Sequence, residues 1–144
     1  MKALSAGMLL FSVVALTACS AQPVVVEPEL PPNLLATKTT YRGTLPCADC
    51  AGIQNTLVLY QNEKGEPSRY QLMQKYIGGE ALTVIERGDW QTRQDTLGQI
   101  IVLSPNDPDA SQQYLHNAAN AIELLGRDGK PAESGLNYTL MKAD

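Results

Sequence analysis

One histidine, one tryptophan and one phenylalanine stand in 144 residues, and several catalytic signatures are missing altogether. The chain has no G-x-S-x-G, no glycine-rich phosphate loop and no H-E-x-x-H. The nucleophile-elbow, phosphate-cradle and zincin chemistries therefore have no motif to start from. Carboxylates are scattered over turn-like segments, and no spacing pairs two of them for acid–base work. No basic cluster occurs, and the formal net charge is −4. Nucleic acid is accordingly not an expected partner. No acidic run suggests a charged tail. A non-enzymatic protein that requires no cofactor is the expectation.

What is present begins with an address. The first twenty residues read MKALSAGMLLFSVVALTACS, with Lys2 as a short positive region and an apolar core from Met8 to Leu16. That core is too short to span a bilayer, so residues 1–18 read as a secretion signal. Leu16-Thr17-Ala18-Cys19 resembles a bacterial lipobox, which is cut before a cysteine that then carries acyl chains. The alternative is an ordinary cleaved signal with Cys19 incidental. Each buried methylene contributes about 0.8 kcal/mol, so two or three chains make attachment effectively permanent. Ser20 after Cys19, by likeness to enterobacterial lipoproteins, favours the outer membrane, with the rest of the chain facing the periplasm. Outer-membrane lipid is then the first expected partner. That compartment is oxidising, and a close cysteine pair there is expected to be a disulfide.

Residues 19–37 read as the lipidated cysteine and a proline-rich tether, extended around Pro28, Pro31 and Pro32. Val24-Val25-Val26 could instead pair onto a sheet edge. From residue 38 to 144 the period is two. IQNTLVLY (53–60) alternates Ile53, Asn55, Leu57 and Leu59 with Gln54, Thr56, Val58 and Tyr60. RYQLMQKY (69–76) does the same, and ALTVIERGDWQT alternates until Gly88 interrupts it. GQIIVLSP (98–105), QQYLHN, AIELLGRDG and LNYTLMKA (136–143) follow, separated by Gly, Asn, Asp and Pro turns. Short strands at near-regular spacing predict an all-β domain. Short connections favour a small, closed, antiparallel and monomeric β-barrel over a sandwich. Trp90 reads as a packing residue of the core or barrel bottom.

The chemistry-bearing stretch is YRGTLPCADCAGI, residues 41–53. Pro46 cannot donate to a ladder, so the first strand should end there and leave Cys47 and Cys50 in the following loop. Asp49 is placed to hydrogen-bond turn amides. The pair can be a redox couple, a metal clip or a staple. As a staple, a four-residue ring contributes only about 2 kcal/mol. Redox exchange of the thioredoxin kind needs a cysteine at a helix N-terminus, and the residues after this pair are strand-like. Two thiolates would suit Cu(I), with Met73 or Met141 as a thioether ligand. His116 is the only histidine and is a further metal candidate beside Met73 and Met141; a lone histidine on an alternating strand is more often a surface or satisfied residue. Whether a barrel is filled or hollow, and so carries a small apolar ligand, cannot be read from residues.

The lipobox, the tether and YRGTLPCADCAGIQNTLVLY together resemble the NlpE N-terminal-domain family. The likeness continues through YQLMQKYIGGE, ERGDW, IIVLSP and IELLGRDG. It implies a calycin-like, lipocalin-related barrel on an outer-membrane lipoprotein that takes part in envelope-stress sensing. It also implies an envelope-stress signalling protein as partner, through the Cpx response, and copper homeostasis through Cys47 and Cys50. Longer members carry a second, OB-like domain with its own cysteine pair. This chain ends at Asp144, so redox signalling assigned to that second domain is not carried over. A purely structural envelope lipoprotein is the remaining alternative.

Overall fold

The computed structural model describes residues 32–78 and 82–143. The expected signal, Cys19 and nearly all of the tether lie outside the described residues. Eight strands follow in order: β1 (Thr37–Leu45), β2 (Gly52–Gln61), β3 (Pro67–Ile77), β4 (Thr83–Asp95), β5 (Gly98–Leu103), β6 (Gln112–Ala118), β7 (Ala121–Leu124) and β8 (Thr139–Lys142). Each strand is antiparallel to the next, and β8 returns to β1, so the sheet closes into a barrel. The expected all-β, lipocalin-like up-and-down architecture is what the chain adopts.

The alternation places the core. β2 turns Asn55, Leu57 and Leu59 inward, β3 turns Tyr70 and Leu72 inward, and all five are buried. Tyr41, Leu45, Trp90, Ile101, Leu103, Tyr114, Ile122 and Leu140 complete the same interior. Removing one such aliphatic side chain from water stabilises by about 1.5–3 kcal/mol. Trp90 packs in this core as expected, and its Nε1–H donates to the Tyr60 carbonyl at 2.7 Å. The unbroken run Ile100–Leu103 is buried on both faces. Ile101 and Leu103 join the interior, while Ile100 and Val102 form a second, outer cluster with Leu115 and Leu125.

Three boundaries differ from the sequence pattern. Gly88 does not interrupt β4, which runs through it to Asp95. The glycine is there because the Tyr70 ring lies against it: a Cβ at position 88 would sit 2.9 Å from Tyr70 Cε1. β7 ends at Leu124, well before Gly129, because Leu125 turns out to the second cluster and bridges to Pro131. The last strand begins at Thr139 instead of 136, after a loop in which Asn137 Oδ1 accepts from the Thr139 amide at 3.0 Å.

The barrel has two distinct rims. The β1–β2 loop, the β5–β6 connection and the long segment after β7 share one. The chain enters β1 at the other, beside the β2–β3 turn. There the end of the expected tether is docked: Pro32–Leu34 form a short 3-10 turn, Asn33 O accepts from the Glu63 amide at 3.2 Å, and Ser68 Oγ donates to Leu34 O.

Candidate functional site

Leu45 pairs with Ile53 as the last rung of the β1–β2 ladder. Pro46 then stops β1, and the loop crosses the rim to Gly52. Ala51 N donates to Ile77 O at 2.8 Å, tying the end of the loop to β3. Within the loop Cys47 and Cys50 form a disulfide, with Cα atoms 5.3 Å apart. Both cysteines are half-buried, and Ala48 and Asp49 between them are exposed. Asp49 makes no hydrogen bond to the loop amides, unlike the turn aspartate expected from sequence; the disulfide and the Ala51–Ile77 contact hold the loop instead.

The loop stands on a buried amide pair. Asn55 is 2 % exposed; its Nδ2 donates to Ile53 O at 2.8 Å, and its Oδ1 accepts from Gln74 Nε2 at 3.1 Å. The Cys50 sulfur lies 3.4 Å from Gly52 O. Oxidised sulfur has no hydrogen to donate, so this contact becomes a hydrogen bond only when the pair is reduced. No helix follows the pair to lower a thiol pKa, because the chain passes directly into β2. The surroundings favour a displayed, reducible loop over a thioredoxin-type catalyst.

The other sequence candidates are dispersed. Met73 lies on β3, four strand positions from Ile77, and is exposed between Thr56 and Ile85. Met141 is exposed on β8 opposite Arg42. His116 lies on β6 near the opposite rim, in a cavity wall. Among the described residues no three His, Cys, Asp or Glu side chains converge on a metal-sized space. In the disulfide state Cys47 and Cys50 offer no thiolate to a soft metal.

A second polar group inside the barrel escaped the sequence reading. Tyr70 Oη donates to the Glu86 carboxylate and lies 2.8 Å from Ser104 Oγ. Burial, then the bond to Glu86, pushes the Tyr70 phenol up to about 12. Burial likewise raises Tyr114, whose Oη donates to Gln112 Oε1 at 3.1 Å. These contacts join residues as far as 34 positions apart, so no local motif signals them.

The NlpE N-terminal domain model matches residues 41–135, from the first inward tyrosine of β1 to the loop before β8. The chain belongs to the NlpE N-terminal-domain family. It is 31 % identical to lipoprotein NlpE of Escherichia coli K12 over 146 aligned positions, covering 99 % of this chain and 57 % of that protein. It is also 29 % identical to the 17 kDa lipoprotein of Treponema pallidum, over 71 % of this chain and 67 % of that one. Among solved structures, a Shewanella oneidensis protein described as a lipoprotein aligns with a TM-score of 0.54 and 29 % identity, covering 76 % of this chain and 92 % of that one. The crystal structure of E. coli NlpE, described as the Cpx pathway activator, aligns at 0.49 and 29 % identity, over 74 % and 51 %. The chain thus spans little more than half the length of E. coli NlpE.

Proposed function

We propose that this NlpE-type barrel is a lipid-anchored envelope protein that reports envelope stress to a signalling partner, with the Cys47–Cys50 rim as the reporting element. The observation that carries the reading is the placement of the disulfide. It lies half-exposed at the rim opposite the one where the chain enters from the tether. Acylation at Cys19 and sorting by Ser20 to the outer membrane would hold the entry rim toward lipid and the disulfide rim toward the periplasm. The relatives support this reading: two are named lipoproteins, and one is described as a Cpx pathway activator.

Expression in a host carrying a Cpx-responsive reporter tests it. Wild type and a Ser20→Asp sorting variant should both raise the reporter, the variant more strongly. Silence from both rejects signalling. Copper belongs to the reduced state alone, where Cys47 and Cys50 become thiolates. Titration of Cu(I) into reduced protein should show a site that Cys47→Ser and Cys50→Ser abolish; equal affinity in the variants removes it.

A further inference from the structure

The rim opposite the disulfide opens into a cavity of about 300 Å³. Tyr41, Leu59, Trp90 and Ile101 form its inner wall, and Thr92 and His116 stand nearer the mouth. No Lys, Arg, Asp or Glu lines it. Trp90 Nε1 is already bound to Tyr60 O, so the indole offers the cavity only carbon surface. His116 Nε2 differs: it is buried and has no hydrogen-bond partner among the described residues. Arg69 Nε is the other such atom, but it belongs to a side chain paired with Asp89 at 2.6 Å and does not line this cavity. A buried imidazole nitrogen without a partner is a standing cost that a bound oxygen would relieve.

We infer that this mouth binds a medium-chain fatty acid. The alkyl chain lies against Tyr41, Leu59, Trp90 and Ile101, and a carboxylate oxygen accepts from His116 Nε2. The position of His116 towards the end of β6 lets the carboxylate keep contact with water while the tail is desolvated. At roughly 30 Å³ for a water-sized group in a liquid, the cavity takes about ten heavy atoms. Octanoate has that size. This inference is independent of the disulfide rim and of any signalling role.

Trp90 is the only tryptophan in the chain and lies in the cavity wall, so its emission reports occupancy directly. Titration of octanoate should give a saturable change in Trp90 emission and one site per chain by calorimetry, with acetate giving none. Thr92 is exposed, and Thr92→Phe should obstruct the mouth and abolish binding without disturbing the core. His116→Leu should weaken octanoate by about tenfold, the loss of one hydrogen bond. Should His116→Leu fail to fold, Thr92→Phe and the acetate control still decide occupancy. Absence of saturation, or saturation unchanged in Thr92→Phe, overturns the site. Equal affinity in folded His116→Leu, or equal affinity of octan-1-ol, overturns the fatty-acid assignment.

Discussion

Opening the Cys47–Cys50 bridge is expected to leave the barrel folded. The ring it closes holds four residues, for which loop-closure entropy gives about 2 kcal/mol at most. The structure reduces that further. Nine β1–β2 rungs, from Thr37↔Gln61 to Leu45↔Ile53, already bring the two ends of the loop together. The Ala51 N–Ile77 O bond ties the loop down a second time. The bridge therefore constrains a segment that the hairpin has largely constrained without it. Urea unfolding with and without a phosphine reductant, and of the Cys47→Ser/Cys50→Ser double variant, should show a loss below about 2 kcal/mol. The m-value should be unchanged. In a domain of this size that loss corresponds to less than about 10 °C in Tm. A loss above about 4 kcal/mol, or disappearance of the cooperative transition, would refute the reasoning, because the bridge would then be a staple of the whole barrel. A small loss leaves the thiol state free to change while the fold persists, as a reporting loop requires.

Other consequences are equally direct. Gly43→Ala would place a Cβ 2.7 Å from Thr139 O and 2.9 Å from Leu140 Cδ2; overpacking of this kind should destabilise by about 1–3 kcal/mol, read by urea unfolding. Tyr70 has a folded-state pKa raised from 10.0 to about 12. Its neutral form is favoured by folding, so that stability is complete below pH 10 and falls as pH rises toward 12. Tyr114 acts in the same direction. Unfolding followed from pH 8 to 12 should show this decline, and Tyr70→Phe should flatten it while costing about 1–3 kcal/mol at neutral pH through the unpaired Glu86 and Ser104. A wild-type profile flat to pH 12 would contradict the assignment.

The strands that alternate cleanly were legible from sequence alone. β2 and β3 extend only one or two residues beyond the 53–60 and 69–76 patterns, because Leu57, Leu59, Tyr70 and Leu72 face inward in strict alternation with more exposed neighbours. Pro46 marked the end of β1 to within a residue, which placed the cysteine loop correctly. Gly88 misled because its reason lies on the neighbouring strand, in the ring of its register partner Tyr70. The run Ile100–Leu103 carried no period, since the outer face it covers is created by Leu115 of β6 and by Leu125 just past β7. At the site, position was legible and surroundings were not. The Asn55–Gln74 pair under the loop depends on the β2–β3 register. His116 read as a surface or satisfied residue, whereas the closed sheet leaves its Nε2 buried beside a cavity that no linear pattern outlines.

Seven of the eight strand junctions in this barrel are hairpin-like and join consecutive strands; the eighth is a seam between first strand and last. Its ladder has just two rungs, Tyr41↔Lys142 and Arg42↔Met141, where β1 and β2 have nine. Ala143 N on Thr40 O, at 2.9 Å, adds one clasp beyond them. Parting the seam therefore breaks far fewer bonds than parting the β1–β2 hairpin, and about as many as parting the three-rung β6–β7 or β7–β8 ladder. Amide protons of Arg42 and Met141 should exchange before those of β2, and the transient opening lays bare the flank of β1 that leads straight to Cys47.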